Sequence, residues 1–160
     1  TAVNAKEDKK SFNLTIDHKF DDHFTLSSAY AHAKDVWKAK DGWILDPNWD
    51  YKNADDLNVA INSLRPQNHY SLNLTYENGK LSTGLLTNWY TGCNTNAFSD
   101  NRFLILDWNL NYEIKKDMTA YVAVTNLTNE GYETIYKSRN GIGAGAMPAR
   151  CFMVGMKYTF

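Results

Sequence analysis

Leu104-Ile105-Leu106-Asp107-Trp108-Asn109-Leu110-Asn111-Tyr112-Glu113-Ile114 alternates from end to end. Successive side chains of an extended chain point to opposite faces, so Leu104, Leu106, Trp108, Leu110, Tyr112 and Ile114 share one face. Asp107, Asn109 and Asn111 share the other. A helix would scatter these residues round its whole circumference; a strand sorts them. The same period recurs on both sides. Upstream, Phe12, Leu14 and Ile16 alternate with polar residues, Phe24 to Val36 follows, then Tyr70, Leu72, Leu74 and Tyr76, then Leu81 to Thr91. Downstream come Ala120, Val122 and Val124, and finally Phe152, Val154, Met156, Tyr158 and Phe160. The one helical period is short: Leu57, Ile61 and Leu64 behind an N-cap candidate at Asn53. The chain is read as all-β, an antiparallel meander of seven strands.

The connections alternate as strictly as the strands do. Asp21-Asp22, Asn78-Gly79 and Lys115 to Asp117 are short, whereas Trp37 to Leu64, Cys93 to Asn101 and Thr128 to Ala149 are medium or long. Asn78-Gly79 reads as a type I′ hairpin turn, which needs positive φ at both central residues. All three prolines fall in long connections or at strand starts, where a missing N–H removes no ladder bond. One end of the sheet is therefore trimmed and the other decorated.

Composition narrows the setting. The 160 residues carry 17 Lys plus Arg against 18 Asp plus Glu, which provides no basic footprint for nucleic acid. No apolar run approaches the roughly 18 residues of a membrane helix. A transmembrane barrel is another matter, since its alternating strands average to the hydrophilic mean hydropathy of -0.53 found here. Aromatics reach 14%, with Tyr70, Tyr76, Trp108 and Tyr112 expected toward strand ends, as in an aromatic girdle at a lipid interface. The face of Asp107, Asn109 and Asn111 is too polar for a closed core and suits a water-filled or plugged lumen. A soluble β-barrel binding module would turn the apolar face inward instead.

Toward the C-terminus, Val124-Thr125-Asn126-Leu127-Thr128-Asn129-Glu130-Gly131-Tyr132, then Met147-Pro148-Ala149-Arg150, then Gly155-Met156-Lys157-Tyr158-Thr159-Phe160 resembles the C-terminal signature of TonB-dependent outer-membrane receptors. Ala149 stands where Gly is usual and Thr128 where an aromatic is usual; neither change touches the alternation. Arg65-Pro66-Gln67-Asn68-His69 is similar to the family's Pro-x-His strand entry. The resemblance implies that residues 1–160 are the C-terminal part of the barrel domain, the last seven or so strands of a barrel of about 22. The plug domain and the TonB box are then absent from this stretch, which reads as a mature product or a fragment. It also implies a bacterial outer-membrane location, short turns in the periplasm and long loops outside.

The same resemblance implies active import of a scarce chelate, foremost a ferric siderophore, with outer-membrane lipid, the barrel-assembly machinery and TonB (through the plug) as partners. No catalytic residue and no cofactor are expected. Loops of such receptors close over substrate, which makes Trp43, Trp49 and Tyr51 ligand-contact candidates. Phe152, Val154, Met156, Tyr158 and Phe160 are expected to form the signal read by the assembly machinery. The runner-up function is a small structural or adhesive outer-membrane barrel, which needs one more strand than Thr1 to Lys10 convincingly provides.

Other features carry less. Asp46-x-Asn48-x-Asp50 has the spacing of the first ligands of a calcium loop, but Tyr51 stands where that loop needs Gly and Leu57 where it needs Glu. His18, His23, His32 and His69 form no ligand pair. Cys93 and Cys151 lie on strands about 14 Å apart at sheet spacing, so free thiols are expected. Asn13, Asn73 and Asn126 match glycosylation sequons but are read as strand residues. Gly141, Gly143 and Gly145 read as a flexible loop.

Overall fold

A computed structural model describes residues 5–39, 65–95, 98–138 and 141–159. Its strands, among the described residues, are β1 (Ala5–Lys19), β2 (Phe24–Ala39), β3 (Asn68–Asn78), β4 (Leu81–Thr91), β5 (Arg102–Lys115), β6 (Met118–Thr125), β7 (Glu133–Ser138), β8 (Gly141–Ala146) and β9 (Cys151–Tyr158). One antiparallel sheet of seven strands runs β1-β2-β3-β4-β5-β6-β9, the meander read from the sequence. The other two strands were not anticipated. β7 and β8 pair as a separate hairpin, with Thr134 opposite Gly145 and Tyr136 opposite Gly143. The stretch read as a flexible glycine loop is thus a ribbon. Glycine has no side chain to show a period of two, so β8 is held by backbone bonds that leave no apolar pattern.

Registers align the two faces across the whole sheet. Phe152 pairs with Val124, Val124 with Trp108, Trp108 with Leu85, Leu85 with Leu74 and Leu74 with Leu26. A second row runs Leu14, Tyr30, Tyr70, Trp89, Leu104. Behind them, Ala123, Asn109, Gly84, Thr75 and Thr25 form a row on the opposite face.

Among the described residues no second layer of strands packs on the apolar face, and in its rows only Val124 is buried, at 5% exposure. Val154 is 76% exposed and Phe152 67%, with Met156, Phe12 and Ile16 also more than half exposed. Apolar side chains left open over a face this wide need a partner that is itself apolar. The buried cluster lies on the other side, where Cys93, Phe98, Phe103 and Ile105 pack under Tyr90, Tyr132 and Ile135 at the loop end.

The short turns are tight, for local reasons. Asp21 Oδ1 accepts the backbone N–H groups of His23 and Phe24, each at 2.7 Å, closing the β1–β2 connection. Those two bonds favour the carboxylate and lower the Asp21 pKa. In the β3–β4 turn Asn78 pairs with Leu81, so the central residues are Gly79 and Lys80 rather than Asn78 and Gly79. Gly79 alone has positive φ there, at 54°, which is the pattern of a type II′ turn and corrects the type I′ expectation. Lys115 faces Met118 across the third turn, with a register shift at Glu113 to Lys115.

Candidate functional site

Hydroxyl and indole groups on the apolar face would be costly in hydrocarbon unless satisfied within the sheet. They are satisfied. Trp108 Nε1 donates to Thr83 Oγ1 at 3.1 Å, and Thr83 Oγ1 donates to the Asn109 carbonyl at 2.7 Å. Ser28 Oγ donates to the Ile16 carbonyl at 3.3 Å. Trp108 therefore sits in the middle of β5 rather than toward its end, correcting the girdle assignment for this residue. An indole at mid-strand is tolerated because Thr83 Oγ1 accepts its N–H.

The true ring belt lies elsewhere on this face. Phe12, Tyr30, Tyr70 and Trp89 form successive ring contacts at 6.1, 4.6 and 5.1 Å across four strands. Tyr30 is held by its hydroxyl donating to Asn68 Oδ1 at 2.9 Å, while Asn68 Nδ2 donates to Thr91 Oγ1. Near the short turns Phe24 packs on Tyr76 at 4.6 Å. Tyr70, Trp89, Phe24 and Tyr76 thus lie toward strand ends, as in an interface belt, whereas Phe12 and Tyr30 meet the same row from mid-strand because β1 and β2 run well past it.

The opposite face presents a loop-end cleft. His69 stacks on Tyr90 at 4.3 Å with a 2° interplanar angle, Tyr90 on Phe103 at 4.8 Å, and Phe103 on Tyr132 at 5.6 Å. His69 Nε2 lies 2.9 Å from Asn88 Oδ1, fixing the ring edge. Between this stack and the β7–β8 hairpin is an open cleft of about 220 Å³, lined by Phe98, Ile135 and Met147 among others. Flat π surfaces at a cleft mouth suit flat, weakly polar groups. Cys93, beneath it, is pushed up to about 11 chiefly by burial, and so is an inert neutral thiol.

Below the cleft, Asn126 ties three segments together. It is 2% exposed, at φ 51°, one residue beyond β6, so it is a turn residue and not the strand residue its sequon match suggested. Its Nδ2 donates to the carbonyls of Glu130 and Pro148, its Oδ1 accepts from Glu130 N–H, and its own N–H donates to Asp107 Oδ1. Arg150 completes the knot, its N–H on Asn129 Oδ1 and its guanidinium on the Leu127 carbonyl. The segments quoted from the C-terminal signature thus meet in one hydrogen-bonded junction. Asp107 belongs to it, a role the alternating pattern alone could not show.

The ligand-contact candidates Trp43, Trp49 and Tyr51, and the calcium-spaced Asp46, Asn48 and Asp50, lie outside the described residues, as does Phe160. Phe152, Val154, Met156 and Tyr158 share the exposed apolar face of edge strand β9. Both cysteines are free, as expected. Among the described residues no three His, Cys, Asp or Glu come together as a metal set.

No protein-family model matches the sequence, and no curated protein matches it. Solved structures do match the fold. The ferripyoverdine receptor of the outer membrane of Pseudomonas aeruginosa, bound to ferripyoverdine, superposes with a TM-score of 0.62 at 18% identity, over 96% of this chain and 20% of the receptor. The FpvAI–pyocin S2 complex gives 0.66 at 18% identity over the same shares. FpvA from the PAO1 strain bound to pyoverdine gives 0.62, over 99% of this chain and 22% of that one. The chain spans about a fifth of the length of the receptors it matches. Seven adjoining strands with one bare apolar face, trimmed turns and a decorated end therefore have the fold of part of the barrel wall of a TonB-dependent outer-membrane receptor.

Proposed function

We propose that this chain is the C-terminal part of the barrel domain of a bacterial outer-membrane receptor that imports a scarce chelate, foremost a ferric siderophore, with energy from TonB acting through a plug domain. The observation that carries this reading is the sheet itself. Its open apolar face, on which the Ser28 and Thr83 hydroxyls are turned back to backbone carbonyls, fits lipid, and its polar face fits a lumen. The outer edges of β1 and β9, unpaired among the described residues, favour a larger barrel over a small adhesive one, since a lipid-exposed edge is costly. Siderophore import is carried over from what the structural neighbours bind.

In this reading the residues of the 37–64 connection, with Trp43, Trp49 and Tyr51, join the loop-end cleft in ligand capture. The apolar face of β9 together with Phe160 is the segment read by the barrel-assembly machinery. The test is growth of a deletion strain on iron held by a siderophore, complemented by the full reading frame. Restored growth together with TonB dependence supports the proposal. Full growth and uptake in the deletion strain, on each siderophore the organism uses, would refute the transport role.

A further inference from the structure

The apolar face carries a feature that barrel closure does not explain. Lys10 of β1 stands directly opposite Lys34 of β2, on the face of Phe12 and His32, at the end of the sheet away from the short turns. Both are exposed, and neither makes an ion pair among the described residues. Like charges directly opposite in an antiparallel pair repel, so this pairing favours an anion between them. Asp8, the next residue outward on this face, is paired with Val36 and makes no ion pair with either lysine among the described residues. His32 is already engaged, with Nδ1 2.8 Å from Asn68 Oδ1.

Toward the middle of the sheet, beyond Phe12 and His32, lies an open groove of about 440 Å³, lined by Leu14, Ile16, Tyr30, Tyr70, Leu72 and Trp89. It exists because Ser28 and Thr87 are small and flank the large side chains of the ring belt. Ser28 presents no free donor to it, since its hydroxyl goes to the Ile16 carbonyl. A cationic pair on the outer rim above an apolar trough is complementary to a phosphate with an acyl chain below it.

We propose that Lys10, Lys34 and this groove seat one outer-leaflet lipid of the lipid A class, its phosphate between the two ammonium groups and one acyl chain along Leu14, Tyr30 and Trp89. The inference rests on the outer-membrane reading above. It is tested on the full-length receptor in detergent, titrated with lipid A and monitored by native mass spectrometry. One tightly held lipid is expected on the wild type. Replacing both lysines (Lys10→Gln with Lys34→Gln) should weaken it about thirtyfold. Ser28→Phe, which fills the groove floor, should weaken it with both lysines in place, and Lys116→Gln in a short turn should leave it unchanged. Equal retention by the double variant, or displacement of the lipid by inorganic phosphate alone, overturns the seat. A receptor that stays monodisperse without detergent would overturn the membrane reading and the seat together. Detergent-dependent variants that bind like wild type would overturn the seat alone.

Discussion

Asn126 shows how much one side chain can hold. Its amide serves two carbonyls and one N–H from different segments, and it sits at a positive φ that asparagine tolerates better than most residues. Asn126→Ala leaves those partners unpaired and should destabilise the barrel by about 2 to 3 kcal/mol. Urea unfolding of the full-length receptor measures this, and a change within error would show that the junction is dispensable. Gly155 makes the opposite case, where absence of a side chain matters. A Cβ there would overlap the Tyr121 phenol, which covers the glycine directly across the β6–β9 pair. Gly155→Ala should therefore destabilise by about 1 to 3 kcal/mol, and much less in a Tyr121→Ala background. Additive effects in that double-mutant cycle would deny the contact. The cysteines separate by burial: at pH 8 Cys151 should alkylate well before Cys93, whose thiol is protonated up to about pH 11. Faster labelling of Cys93 would contradict its burial.

Elements were legible where side chains carry the period. β1 to β6 and β9 announce themselves through alternation, and Asp21-Asp22 through turn chemistry. The β7–β8 ribbon does not, because glycine at 141, 143 and 145 leaves nothing to alternate. The cleft it walls was illegible for the same reason, and so was its stack of His69, Tyr90, Phe103 and Tyr132, since ring contact across strands depends on register that spacing alone does not fix. In the β1–β2 turn the Asp21 carboxyl is lowered in the folded state, so its contribution is present above the ordinary carboxylate pKa and fades as pH falls below it. Asp21→Asn should flatten that acid dependence, and an unchanged profile would remove the turn as its source. β9 is an edge strand whose outward backbone groups are open for strand addition among the described residues, and Phe152, Val154 and Met156 on it are each about two-thirds exposed or more. Deleting Phe160 from the full-length receptor should lower its outer-membrane level strongly without affecting synthesis. An unchanged surface level would leave Phe160 as an interface anchor only.

At the scale of the molecule, the decision is which face meets lipid. A soluble barrel and a membrane barrel use the same alternation and differ only in which way it points, so sequence could offer only indirect arguments. The structure adds two: the apolar rows are open to their surroundings except at Val124, and the buried cluster lies on the polar side at the loop end. Spin labels separate the readings directly. Labels replacing Leu106, Leu110, Val122 and Val154 should, in nanodiscs, collide with oxygen dissolved in hydrocarbon and be shielded from a water-soluble nickel chelate. Labels replacing Asn109, Asn111 and Tyr121 should do the reverse, or be shielded from both where a plug fills the lumen. A soluble module would shield the first set from both reagents, which would defeat the membrane orientation. Energetics should follow the same division. Leu110→Arg places a charge in hydrocarbon and should cost about 2 to 4 kcal/mol if its position is near midplane, whereas Asn109→Arg, its neighbour on the other face, should cost far less. Equal costs at the two positions would mean that neither face is lipid, and the wall assigned to these seven strands would have to be rebuilt.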